Sequence, residues 1–123
     1  MAITTFELEH GLKATDEEGE SLLYREVGLR ELTAADLIDA QIDSEKVVVQ
    51  HGKAIAYTSD VLYGLNLLCR QVEYIGQMKG PLNIKQLKKL HVEDFSLLQT
   101  KAQELDMALA EALAERGRSN SAG

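Results

Sequence analysis

Between residues 6 and 12, Phe6, Leu8, His10 and Leu12 fall on every second position, with Glu7 and Glu9 among the residues between them. A period of two predicts a strand with one wet face. The charged stretch "ATDEEGE" at 14–20 contains Gly19 and has no periodicity, so it reads as the loop of a hairpin. A second extended run over 22–32 then returns antiparallel to the first. In it Leu23, Val27 and Leu29 share a face that Arg25 interrupts, which leaves register and boundaries open.

After residue 32 the spacing changes to threes and fours. Thr33 is a good N-cap, and Asp36 stands in the capping-box position three residues on. Ala34, Leu37, Ile38, Gln41 and Ile42 form one stripe of this short helix and are expected to pack inward, with Asp36, Asp39 and Asp43 facing water. The segment "EKVVVQHGKAIAYTSD", 45–60, fits two descriptions. Val47 to Val49 form either a short strand or the buried end of a connection, with Gly52 as a break.

Val61, Leu65, Leu68, Val72 and Ile75 recur at helical spacing and predict a central core helix that Ser59 caps. "GQMKGP", 76–81, stops it, and Asn83 caps a short turn carrying Ile84, Leu87 and Leu90. The last element is the longest. Phe95, Leu98, Ala102, Leu105, Leu109 and Ala112 predict a helix over about 92–116, with Glu93 and Asp94 suited to its N-terminal dipole and Arg116 to its other end. Its late part adds Met107, Ala108 and Leu113, widening the apolar surface. The stripe Leu98, Leu105, Leu109 and Leu113 therefore has two readings of equal standing, core or a face for an apolar helical partner.

These elements define an α+β fold: an N-terminal antiparallel β-hairpin, then a mainly helical part ending in a long C-terminal helix. A chain of 123 residues is expected to form one small domain, over 1–116, with 117–123 as a flexible tail of "GRSNSAG" composition. Charge narrows the possible partners. Acidic residues outnumber basic ones 20 to 13, a formal charge of −7, which opposes binding to a phosphate backbone. No apolar run reaches the ~18 residues that a membrane span requires, and the N-terminus lacks the basic and apolar regions of a signal peptide. The expectation is a cytosolic protein without nucleic-acid or membrane partners.

Candidate chemistry is sparse. Cys69 is the sole cysteine and lies in an apolar run, the setting of a buried, inert thiol. His10, His51 and His91 fall in separate elements without metal-ligand spacing, so no metal site is expected. There is no phosphate-binding glycine loop and no nucleophile elbow. The acidic groups Asp16, Glu17 and Glu18, and the pair Glu93 and Asp94, sit in a loop and at a helix start, where solvation is expected rather than acid–base work. No catalytic, cofactor-binding or metal-binding residue is assigned. What remains is a binding surface.

The order "FELEHGLK", "YREVGLRELTAADLIDA", "DVLYGLNLLCRQV" and "IKQLKKLHVEDFSLLQTKAQELDMAL" resembles the tail assembly chaperone family of Mu-like and P2-like contractile-tailed phages and prophages, over roughly residues 6–109. Its sharpest pieces are "LRELTAADL" and "LKKLHVEDF". The resemblance implies a non-enzymatic protein of the bacterial host cytoplasm, without cofactor, that binds the tape measure protein and keeps it soluble during tail morphogenesis. It also implies a frameshift-extended form of the same chain as a second product, and it is compatible with homo-oligomers. A structural tail or baseplate component and a small helical adaptor are the alternatives. No site residues come with the resemblance, so Leu98, Leu105, Leu109 and Leu113 stand as candidate partner-binding positions on periodicity alone.

Overall fold

A computed structural model describes residues 2–121 of the chain. Strand β1 (Thr4–Thr15) and strand β2 (Ser21–Leu29) form the expected antiparallel hairpin. Its loop is closed by Asp16, whose carboxylate accepts from the backbone N–H groups of Glu18 and Glu20 at 3.0 and 2.8 Å. β2 stops at Leu29, short of the expected end, and Leu23 is exposed toward the loop end of the hairpin, while Val27 and Leu29 are buried.

The pairing of β1 with β2 is broken once. Glu7 faces Glu26 and Leu12 faces Tyr24, so five steps along β1 match two along β2. The surplus residues form a bulge in which Gly11 takes φ +83, a left-handed conformation open to glycine at little cost. The bulge breaks the alternation of the sequence. Leu8 and Leu12 are both buried, but His10, expected on their face, is turned out to solvent.

Helix α1 (Ala34–Asp43) follows, capped by Thr33 with Asp36 completing the capping box. Strands β3 (Glu45–Gln50) and β4 (Lys53–Thr58) make a separate two-stranded sheet, which decides the open reading of 45–60 in favour of strands. Helix α2 (Asp60–Gln71) is capped by Ser59 as expected but ends earlier than its periodicity predicts. Val72 and Ile75 belong instead to strand β5 (Val72–Ile75), which pairs with β2, and β5 turns through Gly76 into strand β6 (Met78–Lys79). The β-branched ends of "VEYI" suit a pleated, buried strand, and the backbone groups of β5 complete the ladder of β2. The resulting sheet has the order β1-β2-β5-β6.

Asn83 caps the single turn α3 (Ile84–Leu87), and the chain closes with α4 (Val92–Ser121). The helical backbone of α4 runs past the expected end at Arg116. Of the segment read as a tail, residues 117–121 are helical and 122–123 lie outside the described residues. α4 packs on β1 and α2, and Leu8, Leu12, Val27, Leu29, Val72 and Ile75 from the sheet meet Leu68, Leu98, Ala102 and Leu105 from the helices in one core. Cys69 is in that core, and burial pushes its thiol up to about 11, consistent with the inert reading.

Candidate interaction surface

The junction of β2 and α1 rotates the first helix away from its predicted face. Arg30 donates from both terminal nitrogens to the Asp36 carboxylate, at 2.8 and 2.7 Å, and the Thr33 backbone N–H and hydroxyl donate to the same group at 2.8 and 2.9 Å. The Arg30 guanidinium in this bidentate pair holds the Asp36 carboxyl well below the usual carboxylate range, and Asp36 in turn raises Arg30. Asp36 is thus buried, against the expectation of a wet aspartate, and Ala40 and Ser44 follow it on the inward side. Leu37, Ile38 and Ile42, expected inside, are exposed. The strong polar anchor sets the rotation, and the apolar stripe follows it outward.

Asp43 stays exposed, as expected, and pairs with Arg70 of α2 at 2.7 Å. Ser44, fully buried, donates its hydroxyl to Ala40 O and accepts from Asn66 Nδ2 at 2.9 Å. Its carbonyl receives the Ser59 N–H at 3.0 Å. These bonds clamp the two ends of the 45–58 segment to the helices and leave the rest free.

That segment is an arm. Gln50 pairs with Lys53 around a two-residue turn in which His51 has φ 51 and Gly52 has φ 77, the primed geometry that matches the twist of a hairpin. All six residues of each strand are exposed. Cross-strand pairing puts Val48, Ile55 and Tyr57 on one face and Val47, Val49, Ala54 and Ala56 on the other. A hairpin normally buries one face against a body; here both apolar faces meet solvent, with Val49 74% exposed. Both outer edges also lack ladder partners among the described residues. Leu37, Ile38 and Ile42, in the helix before the arm, and Val61, 76% exposed and just after it, add further exposed apolar side chains.

The four candidate positions on α4 separate. Leu98 and Leu105 are buried in the core at 0% and 5% exposure, Leu109 packs half-buried against it, and Leu113 is exposed. Of these, Leu113 is presented outward together with Met107. A groove of about 780 Å³ runs between α2 and α4, with the small residues Gly64, Ser96 and Thr100 and the apolar Leu65 and Leu68 among its lining. The sequence signal for the arm was the β-branched run Val47 to Val49 facing "AIAY" across a two-residue break. It was obscured because histidine is an unusual first residue for such a turn.

Glu17, Glu18 and Glu93 are exposed as expected, while Asp94 and the pairing of two histidines depart from expectation. Asp94 is fully buried, its carboxylate accepting the backbone N–H groups of Glu9, His10 and Gly11 at 2.7, 3.1 and 2.9 Å. It plugs the β1 bulge and joins it to the first turn of α4. His10 and His91, placed apart by sequence, stack with ring centroids 3.6 Å apart, and both lie beside Glu93.

Among the described residues no helix is long and apolar enough to cross a membrane. No solved structure matches the chain. The family model described as tail assembly protein gp41 matches residues 8–118. The "Probable tail assembly protein gp41" of Escherichia phage Mu is 42% identical over 100 residues, covering 80% of this chain and 69% of that protein. The "Mu-like prophage FluMu protein gp41" of Haemophilus influenzae is 39% identical over 98 residues, 79% of this chain and 77% of that protein. The "Probable tail assembly protein FS-gp41" of phage Mu is 41% identical over 99 residues, 80% of this chain but 53% of that protein. With the match running from β1 to the late part of α4, the chain belongs to the gp41 tail assembly protein family of Mu-like phages.

Proposed function

We propose that the protein is a tail assembly chaperone that binds the tape measure protein and keeps it soluble in the host cytoplasm during tail morphogenesis, without catalysing a reaction. Membership of a tail assembly family supplies the setting. The observation that carries the chaperone reading is the β3–β4 arm, whose two apolar faces and open edges suit capture of apolar stretches in an elongated client. The groove between α2 and α4, with small residues in its lining, offers a second place for a client helix to approach closely. The formal charge of −7 keeps a loaded complex dispersed. Homo-oligomers and a frameshift-extended form of the chain belong to the same proposal. Support for the longer form is that this region corresponds to 53% of the FS-gp41 relative.

The test is co-expression with the tape measure protein of the same genome, followed by affinity purification and a comparison of client solubility with and without the chaperone. Co-purification with rescued solubility is the expected result. An insoluble client with nothing retained, or stoichiometric recovery of this chain in purified virions, would overturn the reading.

A further inference from the structure

We infer that His10, His91 and Glu93 form a binding site for a late first-row divalent cation, of which Zn²⁺ is the representative probe. The three side chains each bring one donor atom to within 4.8 Å of the others, and all are exposed, so a hydrated ion can reach them. His10 Nε2 lies 3.4 Å from Glu93 Oε1. Ligand atoms at the usual zinc bond lengths of about 2.0–2.2 Å in a tetrahedron stand about 3.3 Å apart, so this pair is already at coordination spacing. His91 Nδ1 is 4.0 Å from the same oxygen, and its ring must turn out of the stack with His10 to bring that nitrogen to the ion.

The scaffold holds these donors in register. His10 sits in the β1 bulge and His91 immediately precedes α4, elements joined by the three hydrogen bonds that backbone N–H groups donate to buried Asp94. The Glu93 backbone N–H donates to His91 Nδ1 at 3.1 Å, so that nitrogen serves as an acceptor, and a metal ion bound there takes the place of this hydrogen bond. The stacked arrangement must open, since a coordinated ion lies in the plane of each imidazole; exposure of both rings leaves room for this. Two imidazoles and one carboxylate favour zinc, nickel or copper over magnesium or calcium, which prefer all-oxygen sites. Three protein ligands leave a position for water.

The experiment titrates the full chain with Zn²⁺ alone by calorimetry, and with Co²⁺ by visible absorption. Expected are one ion per chain, a rise in Tm with Zn²⁺, and cobalt d–d bands of a low-coordinate site. His10→Ala, His91→Asn and Glu93→Gln should each weaken binding by more than about tenfold. Asn at position 91 retains a helix-capping side chain and Gln at 93 retains the amide donor, so loss of binding in these variants with unchanged circular dichroism is not a folding defect. His51→Asn, in the arm, should bind as the parent does. Absence of saturable binding, binding like the parent's in the three ligand variants, or loss of binding on changing His51 would overturn the proposal.

Discussion

The backbone N–H of His10 donates to the carboxylate of Asp94 at 3.1 Å across 84 positions of the chain. With Glu9 and Gly11 donating to the same group, one acidic side chain satisfies three amides of the β1 bulge and fixes the start of α4 against the sheet. Removing it leaves three part-buried donors without their partner or forces the bulge to re-pair. Asp94→Ala should therefore lower unfolding free energy by about 3 kcal/mol or more, and Asp94→Asn, which retains one oxygen, by less. Urea denaturation monitored by circular dichroism reads both.

The acid limb of stability should report on Asp36. Its folded pKa is depressed, first by the hydrogen bonds from Arg30, so its contribution is present above the unfolded carboxylate pKa of about 3.9 and is lost as pH falls below that value toward the folded one. The proton is taken up more readily by the unfolded chain, which is why stability falls with pH there. Asp36→Asn should lower stability at neutral pH and flatten the decline below about pH 4, measured as Tm across a pH series. An equally steep decline in the variant would assign the acid limb to other carboxylates.

The same two aspartates mark where sequence reading stopped. The hairpin, all three caps and the last helix were legible because each rests on local spacing or on a side chain within three residues of its target. The rotation of α1 was not, since Leu37, Ile38 and Ile42 form the better apolar stripe and the Arg30 anchor that overrides it depends on tertiary placement. Helical spacing also continued from Leu68 into Val72 and Ile75 by coincidence, and pairing with β2 decided the local state. The convergence of His10 and His91 was hidden for a further reason: it depends on a bulge that reverses the strand's alternation.

On α4 the candidate stripe should divide by position. Leu98→Ala and Leu105→Ala remove buried side chains from the core and are expected to cost about 2–5 kcal/mol each. Leu113→Ser, at an exposed site, should stay within about 0.5 kcal/mol. Thermal melts of the three variants give the comparison, and only the last is suited to testing partner binding without a stability defect.

The arm should be dispensable for folding and required for client capture. Val47 and Val49 lie on one face of β3, both strongly exposed, so Val47→Thr with Val49→Thr keeps β-branched residues in the strand while removing apolar contact surface. The double variant should unfold within about 1 kcal/mol of the parent, as two surface substitutions of about 0.5 kcal/mol each would. Its retention of the tape measure client should fall by about tenfold or more, the equivalent of 1.4 kcal/mol of lost contact. The opposite face gives an independent arm of the test: Ile55→Thr and Tyr57→Thr alter Val48's neighbours and leave Val47 and Val49 in place. Loss of capture from one pair alone would show that the client lies on one face, whereas loss from both would place the hairpin inside the client's surface. A fall of several kcal/mol in stability from either pair would instead mean that the arm folds against its own body, and the exposed-surface argument for the chaperone reading would lose its basis.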